Sequence, residues 1–289
     1  MNYKERPICF QCQGASLLGI LSMPKNIGKR GILIVVGGPQ YRAGSHRQFT
    51  LLARQFASEG IPVLRFDYRG MGDSDGDPRE FTSVDDDIRA AVDCFFRAVP
   101  ELQEVTLWGL CDAASAAIFY AHLDTRITGL VLLNPWVRTE QGAAKAYLKH
   151  YYLARLFNRQ LWRKVITGKF ALFASLHSLL QQTTKLLFQQ KNLPTDLPLN
   201  AGNHDRMSLP DKVEIDLRQF KGRSLFILCS NDLTAQEFSD LADSTSAWKK
   251  LMASPQISRR DLAGANHTFS RRVWREQIGQ WTIEWIKKQ

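Results

Sequence analysis

Three residues of this chain have the types and spacing that nucleophilic chemistry needs. Cys111 sits in the string Val105-Thr106-Leu107-Trp108-Gly109-Leu110-Cys111-Asp112-Ala113-Ala114-Ser115. Residues 105–108 read as a short β-prone run, and residues 114–122 as a helix. Strand, sharp turn and helix, with small residues two positions either side of a nucleophile, is the pattern of a nucleophile elbow, here G-x-C-x-A with a thiol for the usual hydroxyl. The small neighbours have a steric reason. A nucleophile held at strained φ/ψ above a sheet edge leaves no room for large flanking side chains. A cysteine so placed can also be a packed small hydrophobe, so the partners decide. His267, in Gly264-Ala265-Asn266-His267-Thr268-Phe269, supplies a base; Asp232, in Cys229-Ser230-Asn231-Asp232, supplies the acid that orients it. A thiol needs both to become a thiolate at neutral pH. Ser115 stands one helical turn beyond Cys111 and is set aside as a nucleophile.

The elements around these residues must form a platform. Residues 7–12 and 16–23 alternate like paired antiparallel strands across a turn at Gln13-Gly14. Residues 31–36 are a continuous apolar run, as in a buried parallel strand. A helix at 46–59, a strand at 61–66, a helix at 84–98, the elbow strand and helix, and a strand at 127–133 follow. That β-α-β-α-β order predicts an α/β fold with a mostly parallel sheet and helices on both faces. After a break the rhythm resumes with a strand at 224–229, a helix at 235–252, a strand at 257–262 and a helix at 271–287. Cys111, Asp232 and His267 then all fall at carboxyl ends of strands, where such sheets carry out their chemistry. An oxyanion needs backbone N–H donors. The amide of Asp112, at the start of the elbow helix, is one. The loop after the 31–36 strand, Gly37-Gly38-Pro39-Gln40, supplies the other: Pro39 has no N–H, so Gly38 is the choice and Gln40 the second.

Val35-Val36-Gly37-Gly38-Pro39-Gln40, the stretch Asp67-Tyr68-Arg69-Gly70-Met71-Gly72-Asp73-Ser74, Gly109-Leu110-Cys111-Asp112-Ala113, Asp232 and His267 together resemble the α/β-hydrolase superfamily, over nearly the whole chain. Nucleophile, acid, histidine is the chain order of that superfamily. Within it, Gly109–Ser115 is most similar to the exosortase A system-associated hydrolase 1 group, bacterial proteins encoded beside exopolysaccharide and protein-sorting genes. The resemblance implies a hydrolase acting through an acyl-enzyme. It also implies a structural role for the 67–74 loop, with Asp67 and Arg69 bonding it. Two features depart from the superfamily: the nucleophile is a thiol, and Val36-Gly37 stands where His-Gly is usual. A thiol acyl-enzyme favours thioesters, lactones and activated esters over amides. The same machinery serves an acyltransferase when an alcohol replaces water. A non-catalytic scaffold member of the fold is the reading from another class, and the complete set of three residues argues against it.

Residues 137–210 interrupt the α/β rhythm. Residues 137–192 read as helices and hold ten Lys/Arg against the single acid Glu140, and 193–210 read as a linker. The expected organisation is therefore a core of residues 1–136 and 211–289 with a helical lid and linker at 137–210. Aromatic residues (Tyr147, Tyr151, Tyr152, Phe157, Trp162) mixed with Lys145, Lys149, Arg155, Arg159, Arg163 and Lys164 suit a lid over an anionic or carrier-bound acyl substrate. They equally suit contact with an anionic membrane surface, or a solvated basic face over a packed underside. The whole chain is basic, with a net charge of +10, yet no nucleic-acid-binding motif accompanies that charge. No apolar run is long enough to cross a bilayer, and no signal-peptide pattern opens the chain. The five cysteines are odd in number and scattered, which points to free thiols and a cytoplasmic location. Cys9-x-x-Cys12 lacks a second ligand pair for zinc; no metal and no cofactor are expected.

Overall fold

The computed structural model describes residues 2–38, 40–138 and 207–288. Except for Met207 they fall within one compact unit. Eight strands, β1 (Tyr3–Cys12), β2 (Ala15–Pro24), β3 (Arg30–Val35), β4 (Val63–Phe66), β5 (Glu104–Leu110), β6 (Ile127–Leu133), β7 (Arg223–Cys229) and β8 (Ile257–Leu262), form one sheet. Their order is β1-β2-β4-β3-β5-β6-β7-β8. β1 pairs antiparallel with β2, and β2 with β4. Every later pairing is parallel. This is the α/β-hydrolase fold, with the expected antiparallel hairpin at one edge.

The apolar strands are buried on both faces. Along β3, Leu33 and Val35 enter one core cluster and Ile32 and Ile34 the other. Successive side chains point to opposite faces, so a strand covered on both sides has no polar position to show. Helices α1 (Gln48–Ser58) and α7 (Arg272–Lys287) cover the second face. Helices α2 (Asp85–Ala98), α3 (Asp112–Ala121), α4 (Leu209–Gln219), α5 (Leu233–Ala242) and α6 (Ser246–Met252) cover the first. α2 starts with Asp85, Asp86 and Asp87 in its first turn, where carboxylates suit the positive end of the helix dipole.

The structure differs from the sequence expectations at several places. The segment 235–252 is two helices, not one. α5 ends at Ala242, and Thr245 restarts the chain by accepting from the Trp248 amide at 3.2 Å. α4 was expected as linker as far as residue 210; Ser208 caps it and Pro210 sits in its first turn, where a missing N–H costs nothing. Val137, expected to open the lid, is buried in the core. The rest of the expected lid and linker, 139–206, lies outside the described residues, as does Pro39. Among the described residues no helix is long and apolar enough to cross a membrane.

The 67–74 loop is held as expected. Asp67, fully buried, accepts from the Arg42 amide at 2.6 Å and the Asp73 amide at 3.2 Å, and it pairs with the Arg42 guanidinium. Arg69 forms a bidentate pair with buried Asp87, its Nη2 2.7 Å from Asp87 Oδ2.

Candidate active site

β5 delivers Cys111 to the top of the sheet. The residue has φ 63° and ψ −124°, a conformation sparsely populated by residues with a Cβ. Its neighbours hold it there: the Cys111 amide donates to the Leu133 carbonyl at 2.9 Å, and the Trp136 amide donates to the Cys111 carbonyl at 3.1 Å. The small flanking residues have their steric cause. A Cβ on Gly109 would stand 2.5 Å from the Ala113 carbonyl oxygen, and Ala113 itself is buried. Ser115 is fully buried and donates to the Trp136 carbonyl at 2.6 Å, so its hydroxyl is committed to the fold.

Asp232 follows β7 and His267 follows β8, the neighbouring strand. The pair meets at 2.9 Å between Asp232 Oδ2 and His267 Nδ1. Asp232 is positioned by a second duty, since its Oδ1 accepts from the Thr234 amide at 3.2 Å and caps α5. The Cys111 thiol hydrogen-bonds the same imidazole. With Nδ1 held by Asp232, Nε2 is the nitrogen free to exchange a proton with sulfur. The Asp232 bond first, and the Cys111 bond second, push the His267 pKa up to about 10 against the opposing effect of burial. The three residues named from sequence are therefore brought together.

The other thiols are unlike Cys111. Burial raises Cys12 and Cys94, and pushes Cys229 up to about 12. Cys9 is exposed on the edge strand. Among the described residues no group of three potential metal ligands gathers.

The oxyanion loop departs from expectation. The tip of that loop lies beside the elbow because β3 and β5 are adjacent and parallel. Gly38 takes φ 58°, which favours glycine. Its amide is not open: it donates to Asp112 Oδ2 at 2.7 Å. Sequence reasoning assigned Asp112 for its backbone amide and missed its side chain, which occupies the place expected for the substrate oxygen. The Gln40 side chain turns away from this role, its Oε1 accepting from the Ser45 amide at 3.2 Å. One structural residue near the site was also missed. Asn134, buried at φ 44°, accepts from the Cys229 amide at 3.0 Å through Oδ1, tying the ends of β6 and β7.

A parallel-rich sheet with a nucleophile on a strained elbow, an acid one strand from its histidine, and all three at the carboxyl ends of strands defines a hydrolase-type catalytic platform. Residues 32–276 match the Alpha/beta hydrolase family, and the chain belongs to it. Acyltransferase drtE of Aspergillus calidoustus is 30% identical over 112 residues, 37% of this chain and 36% of that protein. Polyketide transferase claH of Penicillium crustosum is 29% identical over 143 residues, 47% of this chain and 46% of that protein. These matches thus span less than half the length of the curated relatives. Among solved structures, the Pyrococcus furiosus esterase Pf2001 superposes with a TM-score of 0.65 at 16% identity, covering 99% of this chain and 93% of that one. That last likeness is one of fold.

Proposed function

We propose that the chain cleaves an ester or thioester through a Cys111–His267–Asp232 triad and an acyl-enzyme. The observation that carries this reading is the imidazole of His267 bonded to Asp232 on one side and to the Cys111 thiol on the other. His267 takes the thiol proton, and the sulfur attacks the acyl carbon. Asp232 fixes the tautomer with Nδ1 as donor and stabilises the imidazolium. The proton on His267 then passes to the leaving group, leaving the acyl group on Cys111. Water, deprotonated by His267, releases the acid. A histidine that holds its proton strongly is a strong base toward the thiol and toward that water. The Asp112 amide and, once freed, the Gly38 amide receive the oxyanion.

Transfer to an alcohol instead of water is the second reading. It is favoured by the acyltransferase and polyketide transferase names of two relatives. The acyl donor is a small-molecule or carrier-bound group, anionic if the basic 137–192 segment receives it. The likeness of Gly109–Ser115 to the exosortase-associated group supports a bacterial exopolysaccharide or protein-sorting setting and a cytoplasmic location. Peripheral contact of the basic segment with an anionic membrane belongs to the same proposal.

The test is acylation of the whole protein with p-nitrophenyl butyrate. A butyryl group on the Cys111 peptide in wild type, absent in Cys111→Ala and slow to form in His267→Ala, supports the triad. Turnover that survives Cys111→Ala refutes it. Adding alcohols and following butyrate against butyryl ester separates hydrolysis from transfer.

A further inference from the structure

Asp112 carries a side chain that no step above uses. Its carboxyl group accepts from the Gly38 amide at 2.7 Å through Oδ2 and from the Ala113 amide at 3.0 Å through Oδ1. The slot is shaped around it. Gly37 has no positive φ to demand glycine, yet a Cβ there would stand 2.1 Å from Asp112 Oδ1 and 2.8 Å from the Ala113 amide nitrogen. Tyr68, buried nearby, has its phenol pushed up to about 12, by burial first and then by the Asp112 and Asp87 carboxylates. Burial likewise raises Asp112 itself, against the pull of the two amides and His267. Arginine and lysine are absent from its partners among the described residues.

An oxyanion and a carboxylate cannot share one N–H, because both are negative acceptors. A substrate that uses the Gly38 amide must first evict Asp112. A largely buried carboxylate set free without a new donor is costly, so a productive substrate has to supply that donor. Resting on the acyl-enzyme reading above, we propose that Asp112 is a specificity residue that closes the oxyanion hole and selects acyl groups carrying a hydroxyl on the carbon β to the carbonyl. A β-hydroxyl lies about one hydrogen-bond length from its own carbonyl oxygen. It therefore meets the carboxylate displaced from Gly38 as the carbonyl oxygen takes that amide.

Aldehydes test the hole without turnover. Cys111 sulfur bonds to the aldehyde carbon, the C=O π pair moves to oxygen, and the thiol proton passes through His267 to that oxygen as a thiohemiacetal. Butanal and 3-hydroxybutanal are titrated against iodoacetamide alkylation of Cys111, read on its own peptide because Cys9 is also exposed. Each variant is normalised to its unprotected rate. In wild type, 3-hydroxybutanal should protect at roughly tenfold lower concentration than butanal, the size of one hydrogen bond to a charged group. In Asp112→Ala the two aldehydes should protect equally, and butanal should protect better than in wild type. Asp112→Asn keeps the shape and should fall between, which serves if the alanine variant does not fold. Equal protection in wild type, or an unchanged ratio in either variant, overturns the proposal. Selective protection alongside failure of any ester to acylate Cys111 supports it and refutes only the acyl-enzyme reading.

Discussion

Asp232→Asn separates charge from shape at the triad. The carboxylate is the first cause of the rise of His267 from 6.5 to about 10. At about 1.4 kcal/mol per pH unit that whole rise is worth at most about 5 kcal/mol. The His267 side chain is 35% exposed, so solvent screening cuts it, and Cys111 supplies part of it. A share of about 2 kcal/mol is left for Asp232, in line with one hydrogen bond to a charged group. Losing it lowers kcat/KM for an activated ester about 30-fold. The asparagine amide also prefers the wrong imidazole tautomer, which in a serine triad costs about 10⁴ in kcat. The expected fall therefore lies between about 30-fold and about 10⁴-fold. Stability follows separately. The raised pKa makes the pair's contribution complete below 6.5 and lost as pH climbs through about 10. Asp232→Asn should flatten that alkaline loss while still capping α5. Asp232→Ala should lose the cap as well, about 1 kcal/mol, seen as a further drop of about 2–4 °C in the thermal midpoint. Ester hydrolysis followed across pH, with thermal melts of both variants, checks all three. If Asp232→Asn keeps kcat/KM within about threefold of wild type, the triad reasoning fails.

Other substitutions probe the frame. Gly109→Ala forces a Cβ to 2.5 Å from the Ala113 carbonyl oxygen; urea unfolding should show a loss of about 2–4 kcal/mol, with Cys111 alkylation altered as the elbow shifts. Gly37→Ala drives into Asp112, so aldehyde protection of Cys111 should change more than the denaturation midpoint does. Asp87→Ala strands the buried Arg69 guanidinium and should cost about 3–5 kcal/mol in the same unfolding assay. Iodoacetamide at neutral pH should modify Cys111 faster than Cys229 or Cys94, whose thiols are raised by burial, and His267→Ala should remove that advantage.

Local chemistry was legible in the sequence where one residue's surroundings are its own neighbours. Gly109 and Ala113 announced the elbow because the clash they avoid lies within five residues. β3 and β6 were plain because a strand covered on both faces is a continuous apolar run. The split of α5 from α6 was hidden because residues 243–246 are polar and short, and a long helix tolerates such a stretch; the Thr245 cap was the signal passed over. The beginning of α4 was obscured by a proline that reads as linker until its first-turn position is known. Asp112 shows where local reading ends. Its amide is local to the helix start, but its carboxyl meets Gly38 only because two strands far apart in the chain lie side by side.

The clasp at residues 134–137 has a consequence for how this architecture diversifies. Asn134 is tied to β7, Trp136 is bonded to Cys111 and Ser115 through both its amide and its carbonyl, and Val137 is sunk in the core. The chain leaves for the basic segment only after these four residues have been secured. The departure point is thus anchored independently of whatever follows it. Insertions of different length and charge can be exchanged after residue 138 while the sulfur keeps its place, so selectivity and chemistry are free to evolve at different rates.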